Sequence, residues 1–261
     1  MNNTASPSVG EILRRVRQTY VGEQKKDLLV VRHLYRPLSF PLSVLPLILC
    51  LGPNQVTLAN FLLVIVSCIL FVIGQSVATW IGAALFCAIF VVDCVDGNVA
   101  RYLNQRRYFG KLIDGLVDVL VYLIYIAIAV GNLRQGRSAF SPLVDLFAGS
   151  AIALAMTFTS YFRIRLAQLL GEVRAAAPSV TLHAASQPSA TVRLVLGLRA
   201  GYENLGPLGP IFLIGALATD AVSEFLSTYA VCYVIFAIAE LGYGLFHYRH
   251  TLNVTRPSKA T

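Results

Sequence analysis

Charge is scarce in this chain. Only 13% of its 261 residues are charged while 56% are hydrophobic, a balance that excludes an ordinary soluble domain and points to a membrane. Paired cysteines are missing. Cys50, Cys68, Cys87, Cys94 and Cys232 stand singly in apolar surroundings without a CxxC pair, which argues against a disulfide framework or a zinc site and leaves them as packing residues. The first thirty residues are polar and basic and lack an apolar core, which argues against a cleaved secretory signal. Internal repeats are absent, and no soluble second domain separates from the apolar runs.

What is present is a series of six apolar runs, each near the roughly 20 residues that a membrane span needs: about 55 to 75, 78 to 100, 109 to 131, 142 to 170, 205 to 221 and 223 to 247. They predict an all-α, polytopic membrane domain over 55–247, preceded by an N-terminal segment (1–54) and followed by a tail (248–261). The fifth run is the shortest, and its "NLGPLGP" start would break or kink a helix unless neighbouring helices satisfy the freed backbone. "RPLSFPLSVLPLILCLGP" is too short in its apolar part and too rich in proline to span. It reads as interfacial, with "EILRRVRQ" ahead of it as a basic amphipathic helix lying on anionic headgroups. Residues 173–200, Ala/Ser/Pro-rich at their centre, read as a loop.

The net charge of +8 matters less by its sum than by its placement, and no nucleic-acid partner is expected from it. Residues 1–54 hold seven Lys or Arg, the loop between runs two and three with its flanks four, the region between runs four and five another five, and the tail three. Arg134 and Arg137 alone fall on the other side, so the positive-inside rule places both termini in the cytoplasm.

The acids concentrate in "DCVDGNVARYLNQRRYFGKLIDGLVD", residues 93–118. At 100° per residue, Asp93, Asp96, Gly97, Ala100 and Arg101 share one face at the cytoplasmic end of run two. Gly110, Asp114 and Asp118, four apart, share a face at the start of run three. A short linker makes these helices antiparallel neighbours, so four carboxylates can converge, and bare they would repel each other and take up protons. A divalent cation resolves the repulsion, and oxygen ligands without His or Cys favour Mg2+, Mn2+ or Ca2+ over zinc. A charged interfacial patch, paired with Arg101, Arg106, Arg107 and Lys111, is the plainer explanation. It fits poorly, because intramembrane carboxylates are expensive and by default mark function.

The run Asp93-x-x-Asp96-Gly97-x-x-Ala100-Arg101, eight residues, then Gly110-x-x-x-Asp114-x-x-x-Asp118 resembles the complete signature of the CDP-alcohol phosphotransferases. All eight specified positions match. The resemblance implies an enzyme that displaces CMP from a CDP-alcohol with the hydroxyl of a second alcohol, building phospholipids, and a homodimer. It also implies two Mg2+ or Mn2+ ions, with Asp93 and Asp114 contacting both, Asp96 one and Asp118 the other. Asp118 is the expected proton acceptor, by resemblance and because burial deep in its helix should keep it basic. Gly97 would let the nucleotide approach the backbone, and Arg101 and Arg107 would hold phosphate oxygens.

Two further stretches carry weaker signals. "PNQVTL", 53–58, looks like the family's entry to the first span, where Asn54 and Thr57 could hydrogen-bond the cytidine; plain helix initiation explains it equally well. "SYFRIRLAQLLGE", 160–172, resembles stretches in members with a phosphorylated inositol acceptor, so Arg163, Arg165 and Arg193 could hold an acceptor phosphate. Snorkelling anchors are the alternative, and Leu166 and Gln168 depart from the family pattern. Asp145 and Glu240 read as buried hydrogen-bonding partners, the four histidines have no catalytic part, and Tyr122 and Tyr125 belong with Trp80 to an interfacial aromatic belt. A transporter or channel using the acids as a cation path is the rival class, but paired repeats and broken helices in both halves are absent. A silent scaffold is argued against by the intact signature.

Overall fold

The computed structural model describes residues 8–21, 27–105, 108–176 and 190–252, which form ten α-helices and no strand. Helix α1 is Val9–Tyr20 and is amphipathic, with Ser8 capping its N-terminus by accepting from the Glu11 amide. A π-helical turn, Val31–Tyr35, leads into α2 (Arg36–Leu42) and α3 (Val44–Ile48). Both are too short to span, as their prolines predict. The apolar side of α1 meets protein: Ile12 and Val16 pack with Val44, flanked by Phe40 and Tyr102. Arg14, Arg15 and Arg17 stay on the exposed side.

Among the described residues, five segments are long and apolar enough to cross a membrane. They are α4 (Pro53–Ile73), α5 (Ser76–Tyr102), Gly115–Arg134, most of α8 (Pro142–Ala176) and most of α10 (Val222–Leu252). Together they are the architecture of a polytopic membrane protein. On α4, Leu58, Leu62, Ile65, Ile69 and Ile73 form one exposed stripe, a surface suited to hydrocarbon and not to water. Gly74 ends α4 at a φ of 72°, the left-handed conformation glycine adopts without strain.

The expected third span is two helices, α6 (Tyr108–Val121) and α7 (Leu123–Arg134). Tyr122 breaks the run: its amide bonds Val119 O and its carbonyl takes the Tyr125 amide, both three residues apart, which tightens one turn. The expected fifth span belongs to α9 (Ala190–Ala218), whose apolar part is Glu203–Ala218. The helix runs unbroken through Pro207 and Pro210, and two neighbouring tyrosines donate to other carbonyls of the same turns. Tyr35 Oη donates to Pro207 O at 2.5 Å and Tyr229 Oη to Leu205 O at 3.3 Å. Residues 190–200, expected as loop, are helical, because their Leu, Ala and Arg favour helix and Pro178 and Pro188 both precede α9.

One continuous core joins α4 to α10, centred on Phe71, Phe86, Ile124, Tyr125, Ile152 and Leu226. Tyr125 is 1% exposed and stacks near Phe225 and Tyr229, so it belongs to the core and not to an interfacial belt. Helices α4 and α7 cross at Gly131, where a Cβ would stand only 2.0 Å from Phe71 O. Ser67 ties α4 to α5 by donating to Gly82 O at 3.0 Å.

Candidate active site

A cavity of about 410 Å³ opens between α5, α6, α8 and α9. Asp93 of α5 and Asp118 of α6 both line it; among the described residues α6 packs against α4 rather than against α5, so the expected neighbouring helices meet only across the cavity. Asp96 is 8% exposed and is not among the lining residues; its Oδ2 lies 3.0 Å from Thr57 Oγ1. Asp114 and Gly110 lie on α6, but their side-chain positions are outside the described residues, as is Arg107 altogether. Asp118 departs from expectation in one respect. Its side chain is exposed, because α6 turns it into the open cavity and not into the helix packing.

Thr57 is turned to the carboxylate and not freely to a nucleotide. Its hydroxyl has Pro53 O at 3.1 Å and Asp96 Oδ2 at 3.0 Å, and its single proton is shared between them. Asn54 is exposed at the start of α4. Asn60, one turn beyond Thr57, was not singled out by sequence. It is 2% exposed, lines the cavity, and its Oδ1 is buried without a hydrogen-bond partner. An orphaned amide oxygen on a residue that shares a cavity with two carboxylates suits a cation or a hydrogen-bond donor. The only available sequence signal was a lone Asn three residues after Thr57 in an apolar helix.

Gly97 serves Arg101. A Cβ there would come within 3.2 Å of Arg101 Nη2, so the bare backbone lets the guanidinium fold back over the preceding turn. Ala100 sits half-buried beside it. Arg101 in turn donates to Asn98 Oδ1 at 2.9 Å.

Across the cavity, Arg163 of α8 is gripped by two acids. Nε and Nη2 bond both oxygens of Glu240 at 2.5 and 2.7 Å, and Nη1 lies 3.2 Å from Glu203 Oε1. This bidentate fork is the strongest geometry for the pair. Arg165 is exposed on the other side of α8, 3.4 Å from Gln168 Oε1. Residues two apart cannot share a helix face, so the expected arginine pair is split. The side chain of Arg193, on α9, lies outside the described residues. Asp145 is fully buried at the far end, accepting from Asn132 Nδ2 at 2.7 Å and Ser223 Oγ at 3.0 Å.

The N-terminal segment straps the mouth of the cavity. Leu28 lines the cavity, the Val30 amide donates to Asn204 Oδ1 at 3.2 Å, and Arg36 Nε donates to Asp27 Oδ2 at 2.6 Å. Burial opposes ionisation of Asp27, but hydrogen bonds from Arg36 and Tyr20 outweigh it and hold the carboxyl below its ordinary range.

Hard oxygen donors from Asp93, Asp118 and the orphaned Asn60 amide suit Mg2+ or Mn2+. Among the described residues no three His, Cys, Asp or Glu side chains gather at one point.

A family model described as CDP-alcohol phosphatidyltransferase matches residues 50–222. Over 69 residues, 26% of the chain, the sequence is 38% identical to a protein of Rickettsia typhi named CDP-diacylglycerol--glycerol-3-phosphate 3-phosphatidyltransferase, covering 39% of that protein. A protein of the same name from Rickettsia prowazekii matches equally, at 38% identity over 69 residues. The Bacillus subtilis protein of that name is 28% identical over 145 residues, 51% of this chain and 74% of the relative. The chain thus spans about two fifths of the length of the rickettsial relatives.

Proposed function

Because the chain belongs to the CDP-alcohol phosphatidyltransferase family, we propose that it transfers a phosphatidyl group from CDP-diacylglycerol to the hydroxyl of a second alcohol, releasing CMP, in phospholipid biosynthesis. The observation that carries this reading is the pair of signature carboxylates, Asp93 and Asp118, lining one cavity with the unpartnered Asn60 oxygen. Glycerol 3-phosphate is the acceptor to test first, from the names of the relatives.

Two Mg2+ or Mn2+ ions held by Asp93, Asp96, Asp114 and Asp118 would neutralise the donor's pyrophosphate and lower the barrier to in-line displacement. Thr57 fixes the rotamer of Asp96. Asp118, open to the cavity, accepts the hydroxyl proton of the acceptor as the oxygen bonds to the alcohol-bearing phosphorus; the bond from that phosphorus to CMP breaks, and CMP leaves with the electron pair. Arg101 and Arg107 hold donor phosphate oxygens. Arg163, fixed by Glu203 and Glu240, shapes the opposite wall. The distribution of Lys and Arg supports a site open to the cytoplasm, and the family resemblance supports a homodimer.

The test is CMP release by purified protein from CDP-diacylglycerol, with a panel of alcohols and with EDTA. Release that requires a divalent ion and one alcohol is expected. A preparation that binds neither nucleotide nor metal, or that instead carries cations across vesicles, overturns the reading.

A further inference from the structure

We infer that Asn98, at a position the family signature leaves open, is the positioning residue that sets Arg101 for the donor, and that α2 exists in part to hold it. The inference rests on the donor-phosphate role proposed above for Arg101.

Asn98 is 1% exposed, and its amide is fully used. Oδ1 accepts from Arg101 Nη2 at 2.9 Å and from Arg36 Nη1 at 3.2 Å. Nδ2 donates to Ser39 Oγ and Ser43 Oγ, each at 3.0 Å. The orientation of the amide is fixed by its neighbours. Ser39 spends its hydroxyl proton on Arg36 O, and Ser43 spends its own on Ser39 O, so both serine oxygens can only accept from Asn98. The oxygen must therefore face the two guanidiniums. No other side chain of this size offers two donors and two acceptors at once. An aspartate would turn acceptor against acceptor, and a leucine would leave four polar partners unmatched in a buried place.

Two guanidiniums sharing one oxygen would drift apart without further restraint. Arg36 is held by Asp27 at 2.6 Å and by the Cys94 carbonyl at 3.1 Å. The ring of Tyr20 lies 4.9 Å from Arg36 Cζ and 5.9 Å from Arg101 Cζ, so α1 contributes a face to both cations. Arg101 thus lies over Gly97, beside the turn that carries Asp96, with its approach fixed by residues that all precede the family-matched part of the chain or fall between signature positions. Such fixing lowers the cost of ordering a long cationic side chain when a phosphate arrives.

The experiment uses the full chain in detergent with CDP-diacylglycerol and glycerol 3-phosphate, reading CMP release. Asn98→Ala raises KM for the donor about tenfold, the size expected for losing one hydrogen bond to a charged group, and leaves KM for the acceptor unchanged. In an Arg101→Ala background the same change adds nothing to the donor KM. A purely structural role predicts instead equal effects with and without Arg101. Ser39→Ala with Ser43→Ala frees the Asn98 amide without touching Arg101; it shifts donor KM the same way by a smaller factor, and carries the comparison if Asn98→Ala does not fold. Additive effects, or an unmoved donor KM in the folded serine variant, overturn the inference. An unmutated protein that releases no CMP defeats the functional reading instead.

Discussion

Replacing Thr57 by valine removes one hydroxyl and changes almost no volume, which makes it a direct probe of the carboxylate cluster. Thr57 is 5% exposed and Asp96 8%, so water cannot readily replace the lost donor. Hydrogen bonds to charged groups are worth about 1.5–3 kcal/mol, and losing a partner that orients a metal ligand typically costs ~10-fold to 100-fold in metal affinity. The proton of Thr57 is shared with Pro53 O, which puts the expected effect at the lower end, about 1.5 kcal/mol or ~10-fold. CMP release titrated with Mg2+ should show half-saturation raised by that factor, with turnover at saturating metal nearly restored. Thr57→Ser, which keeps the hydroxyl, should behave as the parent. A folded valine variant with an unmoved Mg2+ midpoint, or a serine variant as impaired as valine, would refute the role given to Thr57.

Asp118→Asn should retain CDP-diacylglycerol binding, measured by equilibrium dialysis, while CMP release falls by ~100-fold or more, the scale of a lost general base. Gly131→Ala should lower the unfolding temperature in detergent, since its Cβ would lie 2.0 Å from Phe71 O and overpacking costs about 1–3 kcal/mol. Arg163→Met removes the fork that grips Glu240 and should destabilise by about 1.5 kcal/mol, the lower end for a hydrogen bond to a charged group at a partly exposed site; adding Glu240→Met should recover part of that loss. Asp27 is ionised below the ordinary carboxylate range in the folded chain, so its contribution is present above that range and vanishes as pH falls through the lowered value. Hydrogen-exchange protection factors in residues 27–43, corrected for the intrinsic pH dependence, should fall on acidification, and Asp27→Asn should show the lower protection already at neutral pH.

Periodicity made the main features of the site legible. Helical spacing put Asp93 and Asp118 toward one cavity, and apolar run length marked α4, α5, α8 and α10. Fourfold spacing says nothing about partners brought from elsewhere in the chain. Thr57 meeting Asp96, Arg36 reaching Cys94 and Asn98, and Glu240 gripping Arg163 join residues 39, 58, 62 and 77 positions apart. The same applies to Asp118: helical register fixes the direction of its side chain, but its exposure depends on how far α6 stands from α8. Tyr122 interrupts a run whose composition gives no warning, because the tightened turn answers the packing around it. In α9, by contrast, local propensity was informative and the nearby prolines obscured it.

The strap and the last helix bear on how this protein can be trimmed. The family-matched stretch, 50–222, stops one residue before Ser223, which closes over Asp145, and starts after Arg36, which covers the Cys94 carbonyl. A fragment cut to those limits would uncover a buried acid at one end and bare backbone at the other. A fragment that keeps these contacts, and the Arg163–Glu240 pair with them, has to reach from before Asp27 to beyond Glu240.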